Sequence, residues 1–352
     1  MDETISATFE RKGLTRRDFV KFCTAMAAAL GLEASAVPQI VQAAETKPRP
    51  PVIWRHFQEC TCCSESLIRS SHPTAADVIL DTISLDYHET IMAPSGVAAE
   101  AAAKASMEKN RGKYVLCVEG SVPFVDEAYC CVGGRSALQI LKEEAEGAAV
   151  IIAYGNCACW GCVQSANPNP TGAKGIQAAL PGKTVIQVPG CPPIAEVITA
   201  VVVHLVAFGV PPALDSKNRP LAYYGKRVHD TCVRRAYFDA GQYAETFDDD
   251  GYRQGWCLYK LGCKGPTTYN SCAITRWNGG TSYPIQSGHP CLGCATTGFW
   301  DEGPFYTKLA EGARVPNPDA VGKMVVAGAV GAAVVHAGFT ATRKALEKKK
   351  ES

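Results

Sequence analysis

Short apolar runs alternate with longer amphipathic stretches through the first two thirds of the chain. The runs have the length and β-branched content of buried strands, and they cover residues 52–57, 82–85, 114–118, 150–154 and 184–188. Helical periodicity marks the stretches 98–107, 136–146 and 194–208. The alternation predicts an α/β fold, a flavodoxin-like, doubly wound and mostly parallel sheet domain over residues 44–222.

The pattern changes near Tyr223. Periodic apolar runs become rare, and Gly, Pro and Cys become frequent. A long irregular segment needs another source of stability than a large core, and metal ligation can provide it. We therefore predict a second, cysteine-rich domain over residues 223–315 that binds metal clusters.

The N-terminal region has the order of an export signal. Arg16 and Arg17 precede a modestly apolar run over residues 22–37, and the small residues Ala43 and Ala44 follow. A basic region, an apolar region and a cleavage site in this order predict a twin-arginine signal peptide over residues 1–43.

Near the other end, residues 321–340 are apolar apart from Lys323 and His336. About 20 helical residues would just span a hydrocarbon core, so we predict a transmembrane anchor over residues 318–342, with an amphipathic surface helix as the alternative. The basic tail at 343–352 then belongs on the cytoplasmic side. Both ends predict a protein held at the periplasmic, outer face of the cell membrane.

Charge excludes one class of function, and the cysteine count suggests another. The formal net charge of the 352 residues is +1 and the body has no long basic tract, so no nucleic-acid partner is expected. The 17 cysteines are unusually many, and their positions decide what they do.

In a doubly wound sheet, ligands bind beyond the carboxyl ends of the strands. Residues with soft or acidic side chains follow four of the five predicted strands: Cys60, Cys62, Cys63, Glu119, Cys157, Cys159, Cys162 and Cys191. Converging thiolates suit a polynuclear iron-sulfur cluster. Disulfides and a structural zinc site are the alternatives. Twin-arginine substrates generally cross the membrane already folded, so cysteines that are occupied by metal before export would not be free to form disulfides. Six cysteines exceed the four ligands of tetrahedral zinc.

The cysteine-rich segment offers two further groups. One His and three Cys can hold a cubane cluster: His229, Cys232, Cys257 and Cys263. Three cysteines without an obvious fourth ligand suit a three-iron cluster: Cys272, Cys291 and Cys294.

Together these motifs resemble the small subunit of nickel-iron hydrogenases. The motifs occur in family order, and they are Cys60-Thr-Cys-Cys-Ser-Glu-Ser, Val118-Glu-Gly, Gly155-Asn-Cys, Pro189-Gly-Cys-Pro-Pro, His229-Asp-Thr-Cys, Cys257-Leu-Tyr-Lys-Leu-Gly-Cys and Gly288-His-Pro-Cys-Leu-Gly-Cys. The resemblance implies a proximal cluster on Cys60, Cys63, Cys157 and Cys191. It implies a distal 4Fe-4S cluster on His229, Cys232, Cys257 and Cys263, and a medial 3Fe-4S cluster on Cys272, Cys291 and Cys294.

Two more cysteines, Cys62 and Cys162, make the chain resemble the oxygen-tolerant, membrane-bound group of that family, which carries cysteine at both positions. Relatives sensitive to oxygen usually carry Gly at the positions of Cys62 and Cys162. With six thiolates the proximal cluster would be 4Fe-3S, and Glu119 matches the acidic residue that can ligate its special iron. If both cysteines are incidental, the alternative is an ordinary 4Fe-4S cluster in an oxygen-sensitive uptake hydrogenase.

The resemblance also implies partners. The chain has no spare pair of CxxC motifs for nickel and iron, so a large subunit would hold that active site. A membrane cytochrome b would pass electrons to quinone, and the assembly would be a dimer of heterodimers. A complex I-like iron-sulfur subunit and a non-catalytic, disulfide-rich exported protein remain as alternatives.

Overall fold

A five-stranded parallel sheet forms the centre of the fold. The computed structural model describes residues 3–29, 32–301 and 305–309. The strands of the sheet are β1 (Pro51–His56), β2 (Ser84–His88), β3 (Val115–Glu119), β6 (Val150–Tyr154) and β7 (Val185–Val188), and a small hairpin adds β4 (Cys131–Val132) and β5 (Arg135–Ser136). The strand order is β2-β1-β3-β6-β7, and every neighbouring pair is parallel. This is the order of flavodoxin-like doubly wound sheets, and all five predicted strands are present within a few residues.

Helices cover both faces of the sheet. The eight longer or central ones are α1 (Ile5–Arg11), α2 (Arg16–Ala29), α3 (Val37–Thr46), α4 (Cys62–Ile68), α5 (Gly96–Lys109), α6 (Ala137–Gly147), α7 (Gly155–Trp160) and α8 (Ala195–Phe208). Four short helices follow in the cysteine-rich segment: α9 (Leu221–Tyr224), α10 (Arg235–Asp239), α11 (Asp250–Arg253) and α12 (Cys272–Thr275).

Side chains of the strands alternate between two cores, because successive residues of a strand point to opposite faces. Trp54 and Tyr154 pack on the face covered by α8, whereas Ile53 and Leu116 pack on the face covered by α5 and α6. Buried residues of the cysteine-rich segment, including Leu258, belong to the same core as α8. The sheet and the cysteine-rich segment therefore share one hydrophobic core.

The N-terminal helices pack against α8. Phe19, Met26 and Ile40 are buried and belong to the same core as Val201 of α8, whereas the arginine pair of the predicted signal is exposed. The removal of residues 1–43 stays a prediction. What the structure adds is that this segment covers an apolar helix while it is attached.

The predicted transmembrane helix requires a correction. Within residues 3–29, 32–301 and 305–309, no helix is long and apolar enough to cross a membrane. The longest helices there have 14 residues, which gives about 21 Å at about 1.5 Å per residue, short of the roughly 30 Å of a hydrocarbon core. Residues 318–342 lie outside the described residues. The fold prediction was wrong in including this helix. The predicted location, an exported protein held at the membrane by the helix, depended on it and is corrected as well.

Candidate functional site: three groups of cysteines

The first group of thiols lies beyond the carboxyl edge of the sheet, where the ends of β1, β6 and β7 meet. Its members are Cys60, Cys62, Cys63, Cys157, Cys162 and Cys191. The thiols of Cys60 and Cys62 are hydrogen-bonded to each other. The Cys162 sulfur interacts in the same way with Cys157 and Cys191. The structure therefore brings five of these cysteines into one contact pair and one contact triplet, and Cys63 interacts electrostatically with Cys60 and Cys157.

The backbone at Gly155 allows this convergence. Gly155 begins α7 with a φ of +86°, and a Cβ added there would lie 2.3 Å from the Cys63 sulfur. No side chain fits at that distance, and a positive φ is strained for residues other than Gly. The glycine of the Gly155-Asn156-Cys157 motif is thus needed for Cys63 and Cys157 to approach each other.

Hydrogen bonds lower the pKa of the Cys162 thiol. The thiols of Cys157 and Cys191, and then the Trp300 indole, whose Nε1 lies 2.9 Å from the sulfur, lower the Cys162 pKa to about 3 against the opposing effect of burial. A sulfur that already accepts several hydrogen bonds is suited to metal ligation as a thiolate.

Glu119 ends β3 inside this region and is fully buried. Its Oε1 accepts hydrogen bonds from Trp54 Nε1 at 2.9 Å and from the Ser64 hydroxyl at 2.6 Å. Its Oε2 is buried and has no partner among the described residues. Burial raises the Glu119 pKa, and hydrogen bonds and nearby charge only partly offset that effect.

Two histidines beside Glu119 were not predicted from the sequence. His56 and His88 end β1 and β2, and their ring nitrogens and a Glu119 oxygen lie within 4.8 Å of one another. Burial, followed by the neighbouring His56, lowers the His88 pKa to about 3, so this ring is neutral at neutral pH. The rule that was applied to the cysteines, that residues at strand ends converge, would have identified both histidines.

The second group of predicted ligands lines one cavity. His229, Cys232, Cys257 and Cys263 all face it. Burial, followed by the charges of Arg235 and Arg227, lowers the His229 pKa to about 4, so the imidazole is neutral and able to ligate a metal. Three of these four residues are buried and the fourth is partly so.

Hydrogen bonds to sulfur surround the second group. Cys232 receives a bond from the Tyr283 hydroxyl at 3.5 Å and from the Arg234 amide at 3.4 Å. The Cys291 amide donates to the Cys263 sulfur at 3.4 Å. Donors of this kind stabilise thiolates and tune the potential of a cluster bound to them.

The third group, Cys272, Cys291 and Cys294, lies between the other two. Cys272 begins α12, and all three thiols interact electrostatically. The Cys191 amide donates to the Cys294 sulfur, which links this group to the first, and the bond from Cys291 to Cys263 links it to the second. The groups therefore follow one another in space as first, third and second.

The remaining cysteines do not join these groups. Cys159 is buried, and its thiol lies 3.5 Å from the Ala153 carbonyl oxygen, although two members of the first group flank it in sequence. Cys117 is fully buried within β3, and Cys130 and Cys131 lie at the small hairpin. None of the 17 cysteines, all of which lie within the described residues, forms a disulfide.

The donor sets fit iron-sulfur clusters. Soft sulfur donors dominate each group, and the first has more of them than a tetrahedral ion takes. A parallel α/β sheet with one thiol group beyond its carboxyl edge, and two more in a cysteine-rich segment, is typical of an iron-sulfur protein of the electron-transfer class.

Comparisons with known proteins identify the family. Residues 224–306 match the family model described as the C-terminal part of the NiFe/NiFeSe hydrogenase small subunit, and residues 60–205 match that of the NADH ubiquinone oxidoreductase 20 kDa subunit. The uptake hydrogenase small subunit of Azotobacter vinelandii is 51% identical, over 98% of both chains. The hydrogenase-1 small chain of Escherichia coli K12 is 51% identical, over 96% of this chain and 91% of that one.

A solved structure agrees with this assignment. The structure titled as recombinant [NiFeSe] hydrogenase from Desulfovibrio vulgaris Hildenborough is 36% identical, with a TM-score of 0.69 over 74% of this chain and 99% of that chain. This chain belongs to the small-subunit family of nickel-iron uptake hydrogenases. It is the iron-sulfur, electron-transfer subunit of an oxidoreductase, and the nickel-iron active site is on the large subunit with which it pairs.

Proposed function

We propose that this subunit holds three clusters in series and transfers electrons from hydrogen to a cytochrome b, which delivers them to quinone. The cytochrome and the quinone are inferred from the family resemblance and from the similarity to uptake hydrogenase subunits. When bound, the clusters supply one-electron transfer in the order proximal, medial, distal.

The ligands follow from the three groups of residues. Cys60, Cys63, Cys157 and Cys191 hold the proximal cluster, with Cys62 and Cys162 as additional thiolates. The distal 4Fe-4S and medial 3Fe-4S clusters are held by the second and third groups, respectively. The observation that carries the proposal is the pair of hydrogen bonds from Cys191 to Cys294 and from Cys291 to Cys263, because they support a medial role for the third group.

Six thiols in the first group support a 4Fe-3S proximal cluster and an oxygen-tolerant enzyme. Cys62 and Cys162 contact other members of that group, which supports a ligand role for both. The ordinary oxygen-sensitive form, with a 4Fe-4S cluster on four cysteines, is the competing proposal. In both forms, the exposed residues Cys60 and Cys191 suggest that this edge is covered by the large subunit.

The serial arrangement is tested by removing one ligand of the medial group. We expect Cys272→Ser in the complete heterodimer to abolish or alter the electron paramagnetic resonance signal of a 3Fe-4S cluster. Electron delivery to a purified cytochrome b should fall by at least about tenfold, because a gap would open in the middle of the series.

Cys159→Ser is the matched control, because it removes a buried thiol that lies outside the three groups. It should leave the 3Fe-4S signal and the delivery of electrons unchanged. A Cys272→Ser variant that kept both the parental signal and the parental rate would contradict the assigned series.

A further inference from the structure

Glu119 is held by a chain of hydrogen bonds that begins at the end of β2, a strand that β1 separates from β3 in the sheet. The Ser64 hydroxyl lies 3.2 Å from His88 Nε2 and 2.6 Å from Glu119 Oε1. On the other side of the ring, the amides of Thr90 and Ile91 each donate to His88 Nδ1 at 3.3 Å.

These contacts fix the direction of each bond. A nitrogen that accepts from backbone amides carries no proton, so the proton of the neutral His88 ring is on Nε2. Nε2 therefore donates to the Ser64 oxygen, and the Ser64 hydroxyl donates to the Glu119 carboxylate. Trp54 Nε1 provides a second donor to the same oxygen at 2.9 Å.

The two oxygens of Glu119 are consequently unequal. Oε1 accepts two hydrogen bonds, whereas Oε2 is buried without a partner among the described residues. A buried carboxylate oxygen without a partner is unfavourable, and a metal ion is a partner that it can take. Ser64 directly follows Cys63, so the residue that fixes Oε1 is adjacent in sequence to a proposed cluster ligand.

We propose that Ser64, His88 and Trp54 are positioning residues that fix Glu119 through Oε1 and keep Oε2 free as a ligand for an iron of the proximal cluster. This inference rests on the proposed 4Fe-3S cluster. It gives a role to Ser64, which lies within the Cys60-Thr-Cys-Cys-Ser-Glu-Ser motif, and to Trp54 and His88, which lie outside all of the cysteine motifs. His56 Nε2 is the other buried atom of this cluster of side chains without a partner, which makes it the competitor for Oε2.

The test is a redox titration of the complete heterodimer, followed by electron paramagnetic resonance. Ser64→Ala removes the hydroxyl that orients Glu119, so the second oxidation of the proximal cluster should shift to higher potential. Ser64→Thr keeps a hydroxyl and should restore the parental transition. Total iron content serves as the check on assembly.

Ser66→Ala is the matched control. Ser66 is also buried on α4, but its hydroxyl donates to the Pro193 carbonyl at 2.6 Å and contacts nothing in the Glu119 region among the described hydrogen bonds. This variant should keep both proximal transitions at the parental potentials.

His88→Phe is a second variant in case Ser64→Ala fails to assemble. It removes the Nε2 proton and keeps an aromatic ring near Trp54, where the ring centroids are 5.1 Å apart. Its second transition should shift in the same direction as that of Ser64→Ala, by a smaller amount because the serine remains.

The outcomes separate this inference from the function on which it rests. A parent with only one proximal transition would overturn the 4Fe-3S cluster and this inference together. A parent with two transitions, matched by Ser64→Ala and His88→Phe, would overturn the positioning role alone. If Glu119→Gln leaves the oxidised spectrum unchanged, Glu119 pairs with His56 instead and the inference fails.

Discussion

The local conformation at two residues, Gly155 and Cys162, determines whether the thiols of the first group can come together. At Gly155 the absence of a side chain lets the Cys63 sulfur approach to where a Cβ would be 2.3 Å away. At Cys162 a φ of +50° turns the chain so that its sulfur meets Cys157, Cys191 and the Trp300 indole. These positions depend on backbone conformation as much as on the identity of the ligand.

Substitution of Gly155 should therefore prevent the proximal cluster from forming. We expect Gly155→Ala to lose the spectroscopic signals of the proximal cluster while the distal and medial signals persist, because the methyl group would overlap Cys63. Iron content and electron paramagnetic resonance of the purified heterodimer measure this loss.

Gly182→Ala is the control for backbone strain. Gly182 has almost the same positive φ, +84°, but an added Cβ would meet nothing within 4 Å. This variant should keep its proximal cluster. Equal losses in the two variants would show that strain, and not the approach of Cys63, is the cause.

At the scale of elements, a buried ion pair joins the sheet to a covering helix. Arg55 of β1 is almost fully buried, and its guanidinium donates to both oxygens of Glu144 on α6, at 2.6 and 2.9 Å. Glu100 of α5 provides a further carboxylate at 2.9 Å. This arrangement connects β1, the strand that precedes Cys60, to two helices.

Removal of one partner from this buried pair should be costly. We expect Glu144→Gln to lower the free energy of unfolding by about 3–5 kcal/mol, because the Arg55 charge stays buried with less compensation. Glu143→Gln, one residue earlier on α6, removes the charge from an exposed pair with Arg135 but keeps an oxygen for the bond from Gln139, and it should cost about 0–1 kcal/mol. Chemical denaturation of both variants measures the difference, and similar losses would contradict the role of burial.

At the scale of elements, some features of the fold could be predicted from the sequence and others could not. The strands and the long helices of the sheet domain were predictable because apolar periodicity is local, and the first group of cysteines was predictable because parallel strands end at one edge. Arg55 interrupts an apolar strand and its partners lie on other elements, so no local pattern identifies it, whereas His56 ends that strand and could have been identified by its position. The packing of Phe19 and Met26 against α8 is likewise a tertiary contact, whereas the sequence indicated only an apolar run.

For the whole molecule, the order of the three groups links the fold to electron transfer. The sheet supplies the first group, and the cysteine-rich segment supplies the other two. Because one core joins both parts, the groups are held at fixed separations. Hydrogen bonds link Cys191 to Cys294 and Cys291 to Cys263, so the third group lies between the other two, as the proposed electron path requires.

The most discriminating prediction for the whole assembly concerns Cys62 and Cys162. Changing both to Gly leaves Cys60, Cys63, Cys157 and Cys191 as a complete set for an ordinary 4Fe-4S cluster. Folding should survive, since Gly readily adopts the positive φ found at Cys162.

Hydrogen oxidation without oxygen should continue in this double variant, whereas sustained turnover in oxygen should be lost. In the proposed 4Fe-3S cluster the extra thiolates would stabilise the oxidised state, so we expect two proximal redox transitions in the parent and one in the double variant. The same double change combined with Cys159→Ser should behave identically, because the Cys159 thiol is engaged with the Ala153 carbonyl. If the double Gly variant keeps two transitions and full activity in oxygen, the six-thiolate cluster is wrong and the protein belongs with the oxygen-sensitive uptake enzymes.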